Sequence, residues 1–184
     1  KLQMEGLASD TTPNNEVFDS GIIRNINPTI SGFTSISKTI GDAAFTLTAP
    51  TTNSTGVFTY VSSNPAVVTI SGSTVTVVGA GAATITATQA ADANFSSGTI
   101  TTTITVAKAN PTISGFTSIS KTVGDAAFTL TAPTSNSAGA FTYASSNTAV
   151  ASISGNTVTV VGAGTATITA TQAADANYNS GTIA

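Results

Sequence analysis

The side chains that could do chemistry are few in this sequence of 184 residues. It contains no His, Cys or Trp, so it has no Ser-His-Asp or Cys-His triad, no thiol redox couple, no disulfide and no zinc site of the usual kind. Beyond residue 26 the only carboxylates are Asp42, Asp92, Asp125 and Asp175. Any catalytic or metal-binding chemistry of carboxylates beyond residue 26 would therefore depend on these four side chains.

The composition of the chain excludes several functions and predicts its fold class. Charged residues make up 7% of the sequence and the net charge is −3, so no basic patch predicts nucleic-acid binding. No apolar run approaches the roughly 20 residues that a membrane-spanning helix needs. The 37 Thr and only 4 Leu favour strands over helices, because β-branched side chains suit pleated strands. We expect an all-β protein.

An internal repeat dominates the sequence. Asn27–Phe33 recurs as Asn110–Phe116, and residues 27–101 align without a gap with residues 110–184, with 62 of 75 positions identical. A unit of 83 residues is too long for a solenoid coil but suits a small sandwich domain. The predicted domains are repeat one (27–109) and repeat two (110–184), joined at Thr105–Asn110.

The first 26 residues differ from the repeats. They hold 6 of the 13 charged residues, and Val17–Ile26 could form one strand. We interpret 1–26 as an N-terminal arm or the end of a preceding domain, with a flexible leader as the alternative. Because the chain opens at Lys1 without a signal peptide, we expect it to be a mature or excised piece of a larger protein.

Period-two alternation in repeat one predicts a strand lead-in and seven strands separated by turns rich in Gly, Asn and Pro. These segments are 28–33, 35–40, 44–49, 57–62, 66–71, 74–78, 83–88 and 99–106. Such spacing predicts a two-sheet sandwich.

Differences between the repeats predict which side chains face the core. Val57 and Val61 become Ala in repeat two, whereas Phe58 and Tyr60 keep aromatic counterparts, so we place the valines outside and the aromatic pair inside. The remaining predicted core residues share this alternation. They are Phe45, Leu47, Ile70, Val75, Val77, Ile85, Ala87, Ile100, Ile104 and Val106.

Two motifs carry a resemblance to a known family. Ser62–Ile70 reads Ser-Ser-Asn-Pro-Ala-Val-Val-Thr-Ile, followed by a Gly turn at Gly72. In repeat two, Ala163–Ala170 reads Ala-Gly-Thr-Ala-Thr-Ile-Thr-Ala. The chain resembles the bacterial immunoglobulin-like domains of group 2 over residues 27–184. Tyr60 and Tyr143 stand where many members carry Trp.

The resemblance implies two tandem immunoglobulin-like β-sandwiches without catalytic activity. Such domains occur in surface adhesins of the invasin and intimin kind and in virion proteins of tailed phages and large viruses. In the immunoglobulin order, Asp42 and Asp92 lie at opposite ends of one domain, so they cannot form the pair of groups that acid–base catalysis needs. We therefore expect no enzyme, no catalytic residues and no cofactor other than a possible calcium ion.

The tandem order places the bottom of repeat one, which bears Asp42 and Gly79–Gly81, against the top of repeat two, which bears Ala173–Ser180. Asp42 could then approach Asp175 and Asn177 and bind calcium, although this ion needs six to eight oxygen ligands. The alternative is that Asp42 and Asp175 are turn residues that cap local amides. Phe95 and Tyr178 lie on the last top loop of each repeat, where they could contact a ligand or fill an interdomain joint.

We interpret the chain as a structural module of an extracellular fibre, stalk or decoration protein on a cell or virion surface, which spaces or projects an attachment element. Its expected partners are neighbouring repeats of the same chain and other cell-surface or capsid proteins. Two alternatives stay open: an adhesive module that binds glycan or a host protein through its top loops, and an accessory domain of a secreted enzyme.

Repeat two ends early in the alignment. Ala184 corresponds to Thr101, so Thr102–Val106 have no counterpart in residues 110–184. The expectation is that the natural chain continues, and the alternative is that a neighbour donates a strand.

Overall fold

The computed structural model describes residues 26–184, and its regular structure is entirely β. The predicted strand at Val17–Ile26 lies outside these residues except for Ile26. The described residues contain no helix that could span a membrane. The predicted all-β fold class is confirmed.

Repeat one contains nine strands. They are β1 (Ile30–Ser31), β2 (Ile36–Thr39), β3 (Phe45–Thr46), β4 (Thr51–Thr52), β5 (Phe58–Ser62), β6 (Val68–Ser71), β7 (Thr74–Val77), β8 (Gly81–Gln89) and β9 (Gly98–Ala107). One sheet has the order β2-β9-β8-β5, a second has β3-β7-β6, and β1 pairs with β4. Most neighbours are antiparallel, but β2 and β9 run parallel, with Ile36 opposite Ile104 and Thr39 opposite Ala107.

Repeat two contains eight strands. They are β10 (Ile113–Ser114), β11 (Phe128–Thr129), β12 (Thr134–Ser135), β13 (Phe141–Ser145), β14 (Ala151–Ser154), β15 (Thr157–Val160), β16 (Ile168–Gln172) and β17 (Gly181–Ile183). Its sheets are β11-β15-β14, β13-β16-β17 and β10-β12. Among the described residues each strand ladder joins strands of one repeat only, while the domain boundaries 27–109 and 110–184 remain predictions.

The core of repeat one lies between its two larger sheets, and its fully buried members come from both. They are Leu47, Val67, Val68, Val75, Ala83, Ile85, Ile104 and Val106. The ten predicted core residues are all buried or half-buried. The side chains of Val57 and Val61 are 72% and 65% exposed, which confirms their outward placement. Tyr60 packs against the core, and this burial raises the pKa of its phenol.

Two details of the predicted layout are wrong. The segment 50–56, predicted to be a turn, contains β4, because Thr51 and Thr52 pair with β1. The junction predicted at Thr105–Asn110 begins too early, because β9 continues to Ala107 on the hydrogen-bond register of β8 and β2.

Candidate functional site

A single aspartate organises the top loop of each repeat, which spans residues 90–97 in repeat one and 173–180 in repeat two. Asp92 Oδ1 accepts the backbone N–H groups of Asn94 and Phe95, each at 2.8 Å. Its Oδ2 accepts Ser54 Oγ at 2.8 Å and the Thr55 N–H at 2.8 Å. The carboxylate thus joins the top loop to the neighbouring loop that follows β4.

Repeat two reproduces this arrangement. Asp175 Oδ1 accepts the N–H groups of Asn177 and Tyr178, each at 2.7 Å. Its Oδ2 accepts Ser137 Oγ and the Ala138 N–H, each at 2.8 Å. The Asp-Ala-Asn sequence folds in this way because the short side chain of aspartate readily accepts hydrogen bonds from the backbone amides of the second and third residues that follow it.

These hydrogen bonds stabilise the charged form of both side chains. Hydrogen bonds hold the pKa of Asp92 far below its ordinary value. In order of decreasing effect, they come from the Asn94 amide, the Ser54 hydroxyl and the Thr55 amide. The Ala138 and Asn177 amides and the Ser137 hydroxyl lower the pKa of Asp175 to about 2. Both side chains are therefore negatively charged at neutral pH, and their role is to hold the loops together.

The structure predicts a loss of stability in acid. An aspartate in the unfolded chain has a pKa of about 3.9. The contribution of Asp92 and Asp175 to stability is therefore complete above this pH and disappears as the pH falls through their lower folded pKa values. We expect the melting temperature of the chain to be level from pH 7 to about 5 and to fall between about pH 4 and 2. Calorimetry across this range measures the effect.

The Asp92→Asn, Asp175→Asn double variant is the control for this pH dependence. It should melt at a lower temperature than the wild type at pH 7, and its melting temperature should fall less between pH 4 and 2. An equal acid-induced decline in both proteins would contradict the assigned role of the two carboxylates.

A buried glutamine supports the same loops, and sequence analysis missed it. Gln89 is 0% exposed. Its Oε1 accepts a hydrogen bond from Thr52 Oγ1 at 2.8 Å. Its Nε2 donates to the Gly56 carbonyl at 2.9 Å and to the Ser54 carbonyl at 3.2 Å. Gln172 repeats these bonds in repeat two. The available signal was its position, since Ile85, Ala87 and Gln89 alternate on the inward face of β8.

The predicted calcium ligands have other roles here. The side chain of Asp42 is exposed, and its Oδ2 accepts the Thr39 N–H at 2.9 Å within a turn. Both oxygens of Asp175 accept bonds from protein donors. Within residues 26–184 no group of three or more acidic, His or Cys side chains could hold a metal ion. The calcium site remains a prediction, and these contacts match its alternative of turn-capping aspartates.

The top loop of repeat two contacts the bottom of repeat one, and this contact forms the interdomain joint. Asn177 Oδ1 accepts the Ala80 N–H at 3.0 Å. The Ala109 N–H donates to the Asn177 carbonyl at 3.0 Å, and the Asn179 N–H donates to the Ala109 carbonyl at 2.8 Å. Lys108 Nζ donates to the Asp175 carbonyl. The joint thus combines a side-chain bond to one repeat with a short backbone ladder to the linker.

Phe95 and Tyr178 lie at equivalent places in these contacts. Both side chains are half-buried. Tyr178 forms a parallel bridge with Ala109 in the linker, and Phe95 forms a parallel bridge with Ile26. The segment that precedes each repeat therefore pairs with the top loop of that repeat in the same manner.

The fold and these loop sites define the chain as a pair of tandem immunoglobulin-like β-sandwich modules. Residues 124–174 match the family model for the intimin immunoglobulin-like domain, which confirms the resemblance to bacterial immunoglobulin-like domains. The corresponding residues 41–91 of repeat one differ from the matched segment at only 9 of 51 positions. The likeness therefore extends to both repeats.

Two further comparisons add little. Among solved structures, human protocadherin-24 EC1-2 is 16% identical to this chain, with a TM-score of 0.37 over 80% of this chain and 87% of that one. This likeness is too loose to support an inference about function. The chain matches no curated protein.

Proposed function

We propose that this chain is a non-catalytic structural segment of a fibre, stalk or decoration protein at the surface of a cell or virus particle, where it spaces or projects an attachment element. The interdomain joint carries this proposal. The two segments that its Asn177–Ala80 hydrogen bond connects recur in both repeats: Gly79–Gly81 recurs as Gly162–Gly164, and Asn94 corresponds to Asn177. A joint made of repeated residues can connect further modules in line without new contacts.

The family match and the surface chemistry support this role. The likeness of repeat two to an intimin domain supports an extracellular, surface-exposed location. Immunoglobulin-like domains of adhesins are generally not enzymes, and the four carboxylates beyond residue 26 include two that anchor loops. With 7% charged residues and 37 Thr, the chain carries many more hydroxyl groups than charges, which suits a spacer that avoids nonspecific charge attraction.

The partners that we propose are neighbouring repeats and other cell-surface or capsid proteins. Direct glycan binding through the top loops is the competing function. In repeat two the top loop already contacts Ala80 and Lys108 of the preceding module, which favours a structural role for that loop.

Immunogold electron microscopy of the source material, with antibody against residues 27–184, tests the proposed location. We expect gold on the outer surface of cells or virus particles, and labelling confined to the cell interior would contradict the proposal. A glycan array with the full chain tests the competing function. A spacer should bind no glycan, whereas specific binding would replace the spacing role with an adhesive one.

The Asn177→Ala variant is expected to loosen the joint without unfolding either repeat, because it removes the side-chain bond to Ala80 and leaves the loop backbone unchanged. Spin labels on the exposed residues Thr59 and Thr142 report the distance between the repeats by pulsed electron resonance. We expect the distance distribution to broaden by roughly twofold, as a single hydrogen bond contributes about 1 kcal/mol.

Asn94→Ala is the matched control for this variant, because Asn94 occupies the same loop position in repeat one and lies away from Ala80. It should leave the distribution unchanged. Equal widths in all three proteins would show that Asn177 does not hold the joint.

A further inference from the structure

Strand β5 forms one edge of the four-stranded sheet of repeat one, because the order of that sheet is β2-β9-β8-β5. On one side β5 pairs with β8, with Phe58 opposite Gln89 and Ser62 opposite Ile85. On its other side no strand of the described residues pairs with it. Nothing in the proposed spacing role requires an open sheet edge at this position.

The register of β5 shows which of its backbone groups point to the open edge. The Ala90 N–H donates to the Val57 carbonyl at 2.9 Å. Hydrogen-bonded and non-hydrogen-bonded pairs alternate along an antiparallel ladder, so the odd-numbered residues of this segment bond to β8. The N–H and C=O groups of Phe58, Tyr60 and Ser62 therefore point away from β8, towards the open edge.

The outward side chains along this edge are uncharged, and two of them are apolar. Val57 and Val61 are 72% and 65% exposed, and the exposed Thr59 lies between them. Residues 43–91 contain no charged side chain. Soluble proteins commonly protect a free edge with Lys, Pro or a bulge, but β5 has no Lys or Pro and its register is continuous. The edge therefore lacks the usual protection against pairing with another strand.

We propose that β5 is an interface for a second copy of this chain, which binds through its own β5 in antiparallel orientation about a two-fold axis at Thr59. Val57 of each copy then lies opposite Val61 of the other copy. Phe58 of each copy lies opposite Tyr60 of the other, and these two residues exchange backbone hydrogen bonds across the axis. The pairing joins two four-stranded sheets into one sheet of eight strands.

The spacing of the two valines favours a second copy over an unrelated partner. Val57 and Val61 are each two residues from Thr59, so the edge is complementary to itself, as an isologous interface requires. These residues form non-hydrogen-bonded pairs, in which opposite Cα atoms lie only about 4.5 Å apart, so the valines pack directly against each other. Like charges on opposing strands would be destabilising, and this edge has none.

Repeat two provides a natural comparison for this edge. Its strand β13 lies at the edge of the sheet β13-β16-β17, and the Ala173 N–H donates to the Ala140 carbonyl at 2.9 Å, as in repeat one. Ala140 and Ala144 stand where repeat one has Val57 and Val61. The two edges thus share their backbone arrangement and differ in apolar side chains, so we expect association through repeat one.

Sedimentation equilibrium of the full chain tests the proposal between about 10 μM and 1 mM, because such a small interface binds weakly. The wild type should show a monomer–dimer equilibrium. The Val57→Ala, Val61→Ala double variant should dimerise about 10-fold more weakly, since it removes both cross-strand valine pairs. It should fold normally, because repeat two carries alanine at both positions.

A disulfide crosslink locates the interface, since the chain contains no Cys. Thr59→Cys places two thiols at the two-fold axis, within the Cα distance that a disulfide spans. In air it should form a covalent dimer about 10-fold faster than Thr142→Cys, the equivalent variant of repeat two, because pairing raises the local thiol concentration. A monomer at every concentration, equal dimerisation of the wild type and the double variant, or equal crosslinking of the two cysteine variants would each refute the interface.

Discussion

Replacing Gln89 with Met is expected to lower the free energy of unfolding of repeat one by about 3 kcal/mol, since it leaves two carbonyls and a hydroxyl without their partner. Met preserves the volume and length of the side chain, so the loss comes from the amide. The carbonyls are those of Ser54 and Gly56, and the hydroxyl is that of Thr52. For a domain of this size the melting temperature should fall by roughly 15 °C.

Calorimetry of the full chain measures this change, and Gln172→Met provides an independent repetition in repeat two. Val57→Ala is the matched control, because Val57 is 72% exposed and its counterpart Ala140 already carries the smaller side chain. The control should change stability by less than about 0.5 kcal/mol. Similar melting temperatures for Gln89→Met and Val57→Ala would show that the buried amide of Gln89 does not stabilise repeat one.

Adding one methyl group at Gly56 should be equally damaging. A Cβ atom there would lie 1.8 Å from the carbonyl oxygen of Ala90, a backbone atom that cannot move without breaking the bond from the Ala90 N–H to the Val57 carbonyl. We expect Gly56→Ala to lower the free energy of unfolding by about 3 kcal/mol or more. Urea denaturation of the full chain measures it, and Gly139→Ala should have the same effect in repeat two.

Gly72→Ala separates this steric clash from the general cost of replacing glycine. Gly72 has a φ of +60° and no neighbouring atom within 4 Å of a built Cβ. It should therefore lose only the conformational term of about 1 kcal/mol. If Gly56→Ala were no worse than Gly72→Ala, the close approach of the two backbones would be refuted.

Much of the fold could be predicted from the sequence because the differences between the two repeats indicate which side chains are exposed. The loss of methyl groups at Val57 and Val61 marked the outer face, and the alternation in β8 and β9 marked the inner one. These signals work because burial in a sheet follows a period of two. Val67 and Val68 escaped prediction because two adjacent buried apolar residues, one just before β6 and one at its first position, break that period.

The loop chemistry was less accessible. The resemblance places Asp92 at one end of the domain, but its bonds to Ser54 and Thr55 link segments about 38 positions apart, and no local pattern encodes such a pairing. The inward position of Gln89 on β8 does not identify the partners of its side-chain amide. Both roles follow from tertiary contacts, which alternation alone cannot specify.

The parallel pairing of β2 with β9 has a consequence for how repeat one carries tension. A pull on its two ends would draw the first long strand and the last one in opposite directions along their length. The paired residues from Ile36 with Ile104 to Thr39 with Ala107 would then be loaded together in shear, instead of opening one after another like a zipper. Under force the resistance of such a module is set by its unfolding rate, and a shared load makes that rate low.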